Sequence, residues 1–118
     1  MKNGDIYWVN LDLSIGDEIR KRRPVVILNA GHAKHLRLAI VVPVMGFKTQ
    51  WENHPFFVSL DPTPANGLAK KSVVDCFQLR AVSHDRFFEK IGFVSETEVD
   101  EMKRAIALIL DIDPDHCC

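Results

Sequence analysis

Four consecutive cations, Arg20, Lys21, Arg22 and Arg23, run straight into Pro24 and the aliphatic residues 25–28. A basic run is ordinarily a solvated face or a polyanion patch, yet this one ends on a segment that reads as buried. Arg23 is the member that touches that segment. Its planar guanidinium can give two parallel hydrogen bonds to a phosphate and stays charged at any ordinary pH. A backbone fixed by Pro24 and the strand behind it would pre-aim that fork. The same residue could instead close the edge of the core or pair with Glu18. Other chemistries have less to stand on. No Ser or Cys sits in a nucleophile-elbow pattern. The three cysteines, Cys76, Cys117 and Cys118, give neither a disulfide framework nor zinc spacing. "DHCC" at 115–118 reads as a frayed tail, so no metal and no cofactor is expected.

The net charge of -1 conceals an asymmetry. Between positions 19 and 51 lie Arg20, Lys21, Arg22, Arg23, Lys34, Arg37 and Lys48 with no carboxylate, and His32 and His35 join them. From Ser95 onward, Glu96, Glu98, Asp100, Glu101, Asp111, Asp113 and Asp115 face only Lys103 and Arg104. One side of the molecule should be positive and suited to a polyanion, the other negative. With 47% apolar and 26% charged residues, the 118-residue chain is expected to be one soluble globular domain spanning 1–118. No apolar run reaches the roughly 18–20 residues of a membrane span, and the start lacks a signal peptide's apolar stretch. The cytoplasm is the expected location, with no membrane partner.

The elements that must position Arg23 are mostly strands. "GDIYWVNLD" begins on a turn signal and continues in β-type residues. A connection of about a dozen residues follows, pivoting at Gly16 and long for a small domain. "PVVILN" is a continuous apolar strand with Pro24 at its start. "RLAIVVPVM" is the next strand, and Pro43 within it argues for a bulge or an edge. The loop at 46–54 leads to a strand at 55–60 and a turn-rich stretch at 61–67. "SVVDCFQLR" at 72–80 reads as one strand, "SHDRFFEK" as a helical turn capped by Ser83, and "IGFV" as a short strand. "SETE" at 95–98 is a capping box. Val99, Met102, Ala105, Ile106, Ile109 and Leu110 then recur on one helical face. A helix over about 95–111 is expected, stopped by Asp113-Pro114, with a frayed acidic tail at 112–118. About six short strands and one helix give an α+β, mainly β fold: a small bent sheet or barrel closed by the C-terminal amphipathic helix.

In this order the motifs resemble the MazF/PemK toxin family of type II toxin–antitoxin modules. The matching residues are Gly4-Asp5, Trp8, Asp12, Gly16, Glu18 and Arg23-Pro24, then "AIVVP", then the Gln-x-Arg segment within "SVVDCFQLRAVSHDRF" and the capped helix. The resemblance implies an SH3-like β-barrel, a homodimer and a cognate antitoxin partner. It also implies ribosome- and metal-independent cleavage of single-stranded RNA at a short sequence, through attack of the 2′-hydroxyl.

The family's catalytic Arg falls on Arg23, and Glu18 matches a loop position that could orient it or move a proton. Arg20, Lys21 and Arg22 fall in the family's variable loop and are expected to contact phosphates. Two residues past the proline of "VVP" the family carries a Thr or Ser; here that position is Met45. A thioether donates no proton. Thr49 could supply the hydroxyl if its loop folds back, Arg23 could act with Lys48 and the loop backbone, or catalysis could be weakened or lost. Single-stranded RNA is gripped by stacking plus charge, which brings in Phe47, Lys48, Trp51 and His32. The rival readings are a catalytically silent relative that binds RNA or antitoxin, and a CcdB-like gyrase poison on the same barrel.

Overall fold

Val25, Val26 and Ile27 are all fully buried, although a strand sends successive side chains to opposite faces. Both faces of their strand are therefore covered, which is why it reads as a continuous apolar run. The computed structural model describes residues 1–11, 22–29 and 35–113. Within them lie β1 (Asp5–Asn10), β2 (Arg22–Ile27), β3 (Leu38–Gly46), β4 (Phe57–Leu60), β5 (Ser72–Asp75), β6 (Arg80–Ser83), β7 (Phe87–Phe93) and the helix α1 (Glu96–Ile109). The strands form one antiparallel sheet in the order β4-β5-β3-β2-β1-β7, with β6 also on β3.

One face of β1, β2 and β3 sends Val9, Val25, Ile27, Ala39 and Val41 into an inner core with Val82 of β6, and Phe87 of β7 packs on it. β6 and β7 stand at the two ends of the path β6-β3-β2-β1-β7, so the sheet must curl for both to reach one core. No ladder joins β6 to β7 among the described residues, so the expected barrel is an open, curled sheet rather than a closed one. The other face sends Ile6, Val26, Val42 and Val44 into an outer core with Val58, Leu60 and Val74. α1 covers this outer core through Val99, Met102 and Ala105. The helix thus packs on the outside of the curl and does not plug its end, because its stripe faces β4 and the turn after β5 rather than the inner core.

Pro43 lies in a central strand, neither bulged nor at an edge. Residues 38–41 of β3 pair with β6 and residues 44–46 pair with β5. Pro43 falls at the handover between them, where its missing N–H leaves no ladder bond unmade. The run 72–80 is two strands, not one. The Asp75 carboxylate accepts the Phe77 N–H at 3.0 Å and caps a 3-10 turn over Cys76–Gln78, and β6 starts afresh at Arg80. This break accounts for seven strands where about six were expected. Ser83 caps a second 3-10 turn, His84–Arg86, as its position suggested. The capping box is present, with Glu98 N–H on Ser95 Oγ at 3.1 Å and Ser95 N–H on Glu98 Oε1 at 2.9 Å. α1 ends at Ile109, ahead of Asp113-Pro114, because Asp111 takes a left-handed conformation (φ 56°). Leu110 consequently leaves the stripe and is exposed. No helix among the described residues is long and apolar enough to cross a membrane.

Candidate functional site

Arg23 lies opposite Val9 in the β1/β2 ladder and shares the inner face with Val25 and Ile27. It stands one pair beyond them, so Val25 is fully buried while Arg23 is exposed at the rim of the inner core. The β2/β3 ladder runs Ile27↔Val41, Val26↔Val42, Val25↔Pro43. The ladder ends there, and strand alternation carries Arg23 and Met45 to the face of Val25 and Pro43. Met45 in turn pairs with Val73 of β5, and Val73 with Ser59 of β4. Val9 with Arg23, and Met45 with Val73 and Ser59, therefore form a row on one face that is broken between β2 and β3.

A wall rises over that row. β5 lies between β3 and β4, so the connection from Gly46 to Phe57 has to cross it. Trp51 meets Phe57 edge-on at 5.3 Å, and His54 stacks on Phe57 at 4.4 Å. Phe57 is two residues from Ser59 on the same face, so the crossing is on the side of Arg23 and Met45. Val73 belongs to neither core yet is fully buried, as expected for a residue beneath this crossing. At the wall, Lys48 Nζ lies 5.2 Å from the Trp51 ring centre and Lys71 Nζ lies 4.2 Å from that of Phe47. Thr49 opens the 3-10 turn Thr49–Trp51 and is exposed.

Two more arginines brace the rim. Arg80 donates to the Leu11 carbonyl at 3.3 Å, and Arg86 to the Asn10 carbonyl at 3.2 Å. They hold the end of β1 where the chain leaves for the segment 12–21. Arg22, expected in the variable loop, is a β2 residue paired with Asn10. Its guanidinium lies 4.2 Å over the Phe88 ring, and strand alternation turns it away from the face of Arg23.

Arg23, Met45, Phe47, Lys48 and Trp51 are thus brought to one face, with Thr49 on the same wall. Glu18, Arg20, Lys21 and His32 lie outside the described residues. Lys71 was not singled out in advance, and Arg80 and Arg86 entered only as part of the motif within "SVVDCFQLRAVSHDRF", without a role. The signal for Lys71 was available: "KKSVV" repeats the pattern of cations immediately before a buried strand. Cys76 is no nucleophile. Burial first, and the neighbouring Asp75 charge second, push its thiol up to about 12. Asp75 is itself engaged, accepting from Phe77 N–H and from Gln78 Nε2 at 2.7 Å. A cavity of about 230 Å³ opens behind the sheet between Trp8, Pro24, Lys70 and Ser72, and Met45 and Gly46 also line it.

A family model described as PemK-like, MazF-like toxin of type II toxin-antitoxin system matches residues 2–110. The chain is 28% identical over 116 residues to Endoribonuclease MazF9 of Mycobacterium tuberculosis, covering 95% of this chain and 98% of that one. It is 33% identical over 112 residues to Endoribonuclease PemK of Escherichia coli, covering 93% and 82% respectively. Among solved structures, Mycobacterium tuberculosis toxin MazF-mt6 superposes with a TM-score of 0.72 at 25% identity, over 92% of this chain and 98% of that one. An endoribonuclease in complex with its cognate antitoxin from a mycobacterial species superposes at 0.75 with 18% identity, over 96% and 97%, and so attests the fold.

Proposed function

The chain belongs to the PemK-like, MazF-like toxin family of type II toxin–antitoxin systems, and we propose that it acts as its relatives are named, as an endoribonuclease, with Arg23 at the scissile phosphate. The observation that carries the assignment to Arg23 is its place: an exposed guanidinium on a buried strand, on the face of Met45 and of a wall of cations and aromatic rings. RNA carries its own nucleophile. The 2′-oxygen bonds to phosphorus while the bond from phosphorus to the 5′-oxygen breaks. The 2′ proton passes to an acceptor and the leaving oxygen gains a proton, giving a cyclic phosphate and a 5′-hydroxyl. The phosphorane gathers negative charge on its non-bridging oxygens, and a pre-aimed fork that is always charged stabilises it more than it stabilises the ground state.

Phe47 and Trp51 offer rings for unstacked bases, and Lys48 charge for the backbone between them. Glu18, outside the described residues, is assigned to the same site on the family resemblance; Thr49 as a hydroxyl, Arg20 and Lys21 as phosphate contacts and His32 as a stacking ring are assigned to it by residue type. Arg22 is assigned to the RNA backbone beyond the site, since it faces the other way. The chain works in the cytoplasm against single-stranded RNA, and a cognate antitoxin silences it. A homodimer is supported by large apolar side chains left exposed on and beside the helix, Phe77, Leu108 and Leu110. A gyrase poison on this barrel would have no use for Arg23-Pro24 at its rim, and the named relatives are endoribonucleases.

The test is incubation of wild-type and Arg23→Ala protein with a mixed-sequence RNA in EDTA. Cyclic-phosphate ends should appear with wild type and vanish with the variant, and Met45→Thr should cleave faster. Cleavage that survives Arg23→Ala would remove Arg23 from the chemistry; none from wild type at high enzyme would leave the silent binder.

A further inference from the structure

Met45 shares the face of Arg23 and cannot donate a hydrogen bond, so the two offer the phosphate one donor residue instead of two. Lys71 comes to the same face by register. Phe47 N–H donates to the Lys71 carbonyl at 3.2 Å, continuing the β3/β5 ladder two residues beyond Met45↔Val73. Side chains alternate, so Lys71 joins Val73, Met45 and Arg23 while its neighbour Lys70 takes the opposite face. Lys70 Nζ indeed lies 3.4 Å from where a Cβ on Gly46 would sit, over the cavity behind the sheet. The Lys71 ammonium rests on the Phe47 ring and, among the described residues, has no carboxylate within ion-pair distance. A cation over a half-buried ring is weakly held, and a charge-assisted hydrogen bond to phosphate is stronger.

We propose that Lys71 is the second donor to the scissile phosphate in this chain, standing in for the hydroxyl that Met45 lacks. When RNA binds, the ammonium leaves the Phe47 ring and donates to a non-bridging oxygen, keeping its proton throughout. The vacated ring face is then open to the base beside that phosphate. The inference rests on the endoribonuclease reading above and adds a residue that family resemblance does not supply.

The experiment is steady-state cleavage of a defined single-stranded RNA by wild type, Lys71→Met, Met45→Thr and the double variant, with Lys71→Arg and Lys70→Met alongside. Lys71→Met should lower kcat by about tenfold or more while KM changes less than about threefold, the mark of an interaction made in the transition state. Lys71→Arg should retain most of the rate, and Lys70→Met should change it less than about threefold. With a hydroxyl restored by Met45→Thr, adding Lys71→Met should cost less than about threefold, because the two donors serve one oxygen and are coupled. Equal losses in both backgrounds, a loss confined to KM, or an equal effect of Lys70→Met would overturn the stand-in role while Arg23-dependent cleavage persisted. Absence of cleavage by every protein, Met45→Thr included, would overturn the endoribonuclease reading and this inference together.

Discussion

Arg23 and Arg22 are adjacent and equally charged, yet one shares the face of Val9 and Met45 and the other lies on Phe88, so their chemistry is set by strand phase. What distinguishes Arg23 is a planar fork on a backbone paired into the sheet, and the fork can be tested apart from the charge. Arg23→Lys keeps the charge and loses the bidentate geometry, so cleavage should fall roughly a hundredfold, the usual cost of removing one oriented donor. Single-turnover rates at saturating enzyme would measure it; a loss under about fivefold would show that charge alone suffices. Arg23 was legible in the sequence because dense charge met a buried strand at a proline. Lys71 carries the same signature, but "AKKSVV" holds two lysines and only the register decides which one faces the site. Met45 was legible as a departure, but its partner Val73 across β3/β5 was not, since no local pattern states which residues of two strands lie opposite.

Among the elements, the helix was the easiest to read and the strand at 72–80 the hardest, and the difference is in how each is punctuated. A capping box and a 3.6-residue stripe are local, and both are present in α1. The break after β5 is made by one buried side chain, Asp75, bonding to Phe77 N–H and Gln78, with no Gly or Pro to announce it. That turn lets β5 and β6 both pair with β3, and it frees Arg80 to reach the end of β1. Asp75→Ala leaves the Phe77 N–H without its acceptor and empties a polar contact inside the sheet. Stability should fall by about 1–3 kcal/mol, read from urea midpoints at constant m-value. Asp75→Asn, which keeps an acceptor oxygen, should lose less. A midpoint unmoved by Asp75→Ala would mean that the turn is held by packing alone.

Over the whole molecule, the charge asymmetry of the sequence becomes two poles. Arg23, Lys48 and Lys71 lie at the inner-face rim, while Glu96, Asp100 and Glu101 are exposed on the helix that covers the outer core. The particle measures 45 × 37 × 28 Å, and at physiological salt a surface charge is screened beyond about 8 Å. RNA at the rim should therefore feel the lysines and scarcely feel the helix. For single strands, each neutralised phosphate contributes about -0.7 to the slope of log K against log salt. Replacing both Lys48 and Lys71 by Ala should flatten that slope by about 1.4. Neutralising the helix acids with Glu96→Gln, Asp100→Asn and Glu101→Gln should leave it within about 0.3 of wild type, by the same screening. Fluorescence titration of a 2′-deoxy substrate analogue between low and physiological salt separates the two, since the analogue cannot be cleaved. A slope that follows the helix acids instead would place the RNA on the outer face, and the row through Arg23 would lose its claim to the substrate.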